Sequence, residues 1–220
     1  MNRKGGIVIN DIEVPPNPGL NVAIRVEPVQ ARSTARVNAL LDAASATMHE
    51  HGYEQLTTAM VAERAGASIG TVYRYFPDRI AVLHAVASRN LEQVKRTLNS
   101  ALNSSKPQTM TGVIDVVVDT LVEMFRTEKG FRSLRVGDVL DIRPVSGRGA
   151  NAEIATVIKD WIHQSLSLRL DSSARLACET AIDVMDALLA RAFLHSDRGD
   201  QTLIEEAKRM ARLSMEGLVN

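Results

Sequence analysis

"LTTAMVAERAGASIGTVYRYFPDRIAVL", residues 56–83, decides the reading of the chain. Thr57 and Thr58 open a short segment in which Val61, Ala62 and Ala65 share one side. A threonine oxygen at that position can take an orphan amide of the first helical turn. Gly66 stops the segment, because glycine adopts positive φ without a Cβ clash. Ser68 then offers a second cap, for a helix from about Ile69 to Phe76, which Pro77 closes. Two short helices joined through a glycine turn have the spacing of a helix-turn-helix. Val72 and Phe76 lie four apart and turn inward. That leaves Ser68, Thr71, Arg74 and Tyr75 on the outer side, with Tyr73 at the edge and Gly70 keeping the helix start thin. Hydroxyls and guanidinium groups so displayed can bond phosphates and base edges.

Outward from this stretch the period stays helical. Before it, Val37, Leu40, Leu41, Ala44 and Met48 recur at steps of three and four, one apolar stripe over about 34–50. After it, Asp78 can cap a long helix over about 79–102. Further helices are expected over about 112–127, 152–170, 173–195 and 201–218. Residues 128–150 are broken by Gly130, Gly137, Pro144, Gly147 and Gly149, leaving room for short helical pieces only. No segment alternates with period two, so the fold class is all-α. Residues 1–30, with four prolines, read as a flexible N-terminal tail. Residues 31–80 read as the helix-turn-helix domain, and 81–220 as a larger helical domain.

Composition narrows the function. Lys plus Arg and Asp plus Glu both number 26, so any basic surface is small and local. Over residues 31–95 there are seven basic and six acidic residues, a net of +1, which implies few phosphate contacts per subunit. Arg25, Arg32 and Arg36, at or before the first helix, suit either an arm in a minor groove or an incidental tail. The single cysteine, Cys178, forbids an intrachain disulfide and fits a reducing compartment. No apolar run approaches the roughly 18 residues of a membrane span. The expected location is cytoplasmic.

Catalytic constellations are absent from the pattern. His49 and His51 are two apart and diverge on a helix. "GRGAN", 147–151, has neither a preceding strand nor a third glycine. Asp115 and Asp119 read as a solvated helix face. No enzyme activity, cofactor or metal is expected. The rival to a DNA-binding protein is a helical small-molecule-binding protein or enzyme without DNA function.

The same stretch resembles the DNA-binding signature of the tetracycline-repressor (TetR) family of transcriptional regulators. Gly52-Tyr53, Thr57-Thr58, Val61-Ala62, Ala65-Gly66, Ser68, Gly70-Thr71, Tyr73, Tyr75-Phe76, Arg79 and Leu83 carry the resemblance, which covers about residues 35–85. Three positions depart from the family pattern. Ala67 stands where valine is usual, Ile69 where a polar or basic residue is common, and Arg79 where lysine is more usual. Ile69 would trade a polar contact for a thymine methyl.

The resemblance implies that Thr58, Tyr73, Tyr75 and Arg79 contact phosphates, and that Ser68, Gly70, Thr71 and Arg74 lie nearest the bases. It further implies a homodimer formed by the last two helices. Ala177, Ala181, Val184 and Leu188 form a stripe on the first of these, and Leu203, Ala207, Met210 and Ser214 on the second. Finally, it implies an unidentified small-molecule effector among the middle helices. Met124, Phe125, Trp161 and Met185 are candidate effector-binding residues there. The implied function is a ligand-responsive repressor that leaves a pseudo-palindromic double-stranded DNA operator when the effector binds.

Overall fold

A computed structural model describes residues 31–128, 131–132, 134, 149–168 and 171–215. The N-terminal tail, most of 128–150 and the end of the last expected helix lie outside the described residues. Eight helices have defined bounds among the described residues: α1 Ala31–His51, α2 Thr58–Arg64, α3 Ile69–Tyr75, α4 Arg79–Ser105, α5 Met110–Thr127, α6 Ala150–Leu166, α7 Ser172–Ala192 and α8 Gln201–Met215. No strand occurs among the described residues. No helix among them is long and apolar enough to cross a membrane.

The helix starts follow from local chemistry. Thr57, Ser68, Asp78, Thr109 and Asp171 each accept, through a side-chain oxygen, an amide of the first turn that has no intrahelical partner. Gly66 ends α2 at φ +59. Its amide donates to Glu63 O at 3.1 Å and that of Ala67 to Ala62 O at 2.9 Å, the paired bonds of a Schellman stop.

Two apolar clusters organise the chain. The first gathers α1, α2, α3 and the opening turns of α4 around Leu40, Leu41, Val61, Val72 and Phe76, and runs on through Ala81 to Val86. The second begins at Leu91 of α4 and takes in α5, α6, α7 and α8. Helix α4, about 40 Å long at 1.5 Å per residue, therefore belongs to both. Where one cluster gives way to the other, Arg89 donates to Asp42 Oδ1 at 2.7 Å and Ser45 Oγ at 3.0 Å, fixing α4 on α1.

In the larger cluster, Phe125 stacks on Phe193 and meets Phe131 edge-on, both at 5.0 Å between centroids. Asp115 and Asp119, expected on an idle solvated face, instead reach across to α8. Asp115 accepts from Arg212, and Asp119 pairs with Lys208 at 2.8 Å. Nothing in the spacing of α5 alone reveals this, because the partners come from a helix some ninety residues later.

Candidate nucleic-acid interface and effector cavity

The outer surface of α2 and α3 is built from the caps outward. The Ser68 hydroxyl accepts from Thr71 N at 3.1 Å and shares a hydrogen bond with Thr71 Oγ1 at 2.9 Å, so two hydroxyls are fixed side by side at the start of α3. Gly70, between them, is exposed, and a Cβ there would meet only Ser68 Oγ at 3.8 Å. Ile69 stands 43% exposed at the same end, an apolar body beside the hydroxyls. Val72 and Phe76 are fully buried, as their spacing requires.

Thr58 and Tyr73 come together although fifteen residues separate them. Thr58 Oγ1 donates to Tyr73 Oη at 3.3 Å, and the Tyr73 ring is 45% exposed. Arg74 is exposed, with its guanidinium carbon 5.9 Å from the centre of the Tyr75 ring, and it forms no ion pair among the described residues. Arg79 opens α4 and donates from Nη1 to Glu54 O at 2.7 Å, tying the start of α4 to the α1–α2 turn.

Tyr75 departs from the expected outer face. It is only 5% exposed and belongs to the first cluster, with its hydroxyl 3.1 Å from Ser33 Oγ in the first turn of α1. The reason is angular. Tyr75 follows Val72 by three positions, so the same inward side of α3 carries Val72, Tyr75 and Phe76. The exposed set is then Ser68, Ile69, Gly70, Tyr73 and Arg74, with Thr71 half-buried beside it. Ser33 is a residue that sequence reasoning missed; its partner is forty-two positions away and no local signal marks it. Arg32 and Arg36 are exposed on α1, while Arg25 lies outside the described residues.

A second site lies at the far end of α4. A partly open cavity of ≈ 20 Å³ is lined by α5, α6, α7 and α8, with Met185, Val117, Ile162 and Ala181 in its wall. Of the four residues expected around an effector, Met185 lines this cavity, but Met124, Phe125 and Trp161 do not. All three are buried elsewhere: Phe125 is engaged by the two other phenylalanines, and Trp161 Nε1 donates to Asn103 Oδ1 at 3.0 Å. Large aromatic bodies were the obvious pocket candidates in the sequence. Around this cavity the wall is instead aliphatic and sulfur-bearing.

With this geometry in place, comparison with known proteins gives the class. Residues 40–86 match the profile of bacterial regulatory proteins, tetR family, and residues 108–216 that of the Tetracyclin repressor-like, C-terminal domain. The chain belongs to the TetR family. Among solved structures it is similar to a TetR-family transcriptional regulator from Streptomyces coelicolor. The two are 28% identical with a TM-score of 0.70, over 85% of this chain and 99% of that one. The fold is shared with Thermus thermophilus FadR, a TetR-family repressor solved in complex with lauroyl-CoA. That likeness has 23% identity and a TM-score of 0.57, over 84% of this chain and 95% of that one. The transcriptional repressor KstR of Mycobacterium tuberculosis is 31% identical over 98 residues, 43% of this chain and 44% of that protein. The chain spans less than half the length of the curated relatives it matches.

Proposed function

We propose that the protein is a homodimeric, ligand-responsive repressor whose α3 helices enter successive major grooves of a pseudo-palindromic DNA operator. The observation that carries this reading is the outer face of α3. Two preset hydroxyls, an exposed isoleucine, a phenol and an exposed guanidinium are displayed on a helix thin enough at Gly70 to approach base edges. Ser68, Gly70, Thr71 and Arg74 are assigned to the bases, and Thr58, Tyr73 and Arg79 to phosphates. Tyr75 is assigned to holding α1 against α3.

Release follows from α4. Only three residues separate it from α3, and it shares its later turns with the larger core that includes the cavity wall. An effector that binds the non-DNA form better shifts the population away from the operator; coupling of about 1–3 kcal/mol is typical. The similar repressor FadR, whose structure holds lauroyl-CoA, supports a small-molecule effector.

Helices α7 and α8 are assigned to the dimer. Their apolar stripes are split: Ala181 and Ala207 are buried within the chain, whereas Ala177, Val184, Leu188, Leu203 and Met210 are half-buried, and Leu176 and Leu213 stand 64% and 45% exposed. A second copy would cover that remainder. The working location is the cytoplasm, with the DNA.

The test is selection of bound fragments from a random double-stranded DNA pool, using purified protein at fixed salt. A motif with two-fold symmetry is expected. Protein verified as dimeric and ligand-free that enriches no motif would overturn the reading.

A further inference from the structure

Among the described residues, the wall of the cavity contains no side-chain nitrogen or oxygen. It is made of methionine, valine, isoleucine, alanine and one cysteine, with Met110, Met185 and Met215 placed around it. The one side-chain donor in the wall is the Cys178 thiol, which burial pushes up to about 11, so it remains neutral in the cell. No aromatic ring lines the space. The neighbouring rings are committed to one another or, for Trp161, to Asn103.

These facts restrict the occupant. A hydrogen-bonding group placed here would lose its water and find only the weak partner of the Cys178 thiol, a cost that selects against polar ligands and phenols. The space inside the mouth, ≈ 20 Å³, admits about one water-sized group, so any larger ligand must displace side chains. Methionines are unbranched and repack readily, whereas a close-packed helical core resists the fixed width of a rigid ring. Met110 is the one half-buried member of the wall, so the mouth lies beside it, next to the α4–α5 turn.

We infer that the effector occupies this cavity with an unbranched, flexible alkyl chain, the tail of an amphiphile whose polar head stays outside beside Met110. This rests on the regulator reading above and names the chemical class that reading leaves open. Filling the cavity spreads α5 from α7, in the same core that holds Leu98 and Leu102 of α4.

The experiment measures two things separately. Calorimetric titration of the protein alone uses straight-chain fatty acids lengthened one methylene at a time, beside an aromatic acid of equal carbon number. Fluorescence anisotropy follows release of the selected operator in parallel. Affinity should rise about fourfold per methylene until the cavity is full, and the aromatic acid should bind at least about tenfold more weakly. Ala181→Phe should remove chain binding, and Met185→Ala should move the best length upward. Affinity independent of chain length, or tighter binding of the aromatic acid, overturns the inference even if the operator is released by some other compound. Chains that bind as expected without releasing the operator leave the occupant established and overturn the effector reading instead.

Discussion

Arg74 and Tyr75 are adjacent, yet the fold gives them opposite work. Arg74 projects from α3 without an ion pair among the described residues, so Arg74→Ala should leave the fold intact and weaken specific DNA binding by about 1–3 kcal/mol, relaxing preference at one base position. Anisotropy against the selected operator and its single-base variants at fixed salt reads this directly. A uniform loss across all sequences, with the salt slope reduced by about one, would reassign Arg74 to a phosphate. Tyr75→Phe makes the opposite expectation. Loss of the hydroxyl paired with Ser33 should lower stability by about 1 kcal/mol while DNA affinity stays nearly constant. A tenfold loss of affinity in a variant of unchanged stability would place that hydroxyl on DNA after all.

At the scale of elements, turns and caps carry the predictions. Gly66 and Gly199 both hold positive φ, +59 and +79, but their surroundings differ. A Cβ at Gly66 meets nothing within 4 Å, so Gly66→Ala should cost about 1–2 kcal/mol, the backbone term alone. A Cβ at Gly199 falls 2.7 Å from Phe193 Cζ, within the stacked phenylalanines. Gly199→Ala should therefore cost about 2–5 kcal/mol, with overpacking added to the backbone strain. Chemical denaturation of the two variants side by side checks the difference; equal losses would refute it.

The α7 cap adds a pH dependence. The Ala174 amide first, and the Ser173 hydroxyl with it, hold the Asp171 carboxyl below its ordinary value of 3.8. A depressed folded value means the stabilisation is complete above 3.8 and is lost as pH falls through the lower folded value. Asp171→Asn keeps an acceptor at the cap but removes the titration. Acid unfolding followed by circular dichroism should then show a shallower pH dependence below 3.8 than in the parent.

For the molecule as a whole, the testable feature is α4 together with the helices that close the far end. If α7 and α8 meet their symmetry mates, each substitution enters the interface twice. Leu213→Glu combined with Met210→Glu should convert a dimer to a monomer in sedimentation while helicity is retained. Operator affinity should fall with it, because paired half-sites then bind independently. A double variant that remains dimeric would move the interface elsewhere.

The local sequence already determined most of the DNA-binding part. Thr57, Gly66, Ser68, Pro77 and Asp78 act within a turn of themselves, so α2, the glycine turn, α3 and the start of α4 were legible to within a residue or two. Val72 and Phe76 were assigned inward by spacing alone, and both are fully buried. What the tertiary structure decided were relations between distant segments. Tyr75 is buried because Ser33 and the first cluster receive it, and Asp115 and Asp119 are engaged because α8 lies against α5. The cavity, too, is a property of four helices at once. Residue type favoured Met124, Phe125 and Trp161, yet space remains where Met110, Met185 and Met215 converge. Capping and periodicity are short-range and can be read along one chain segment. Whether a side chain fills, lines or leaves a void depends on what another helix presents opposite it, and packing settles that only when the helices have come together.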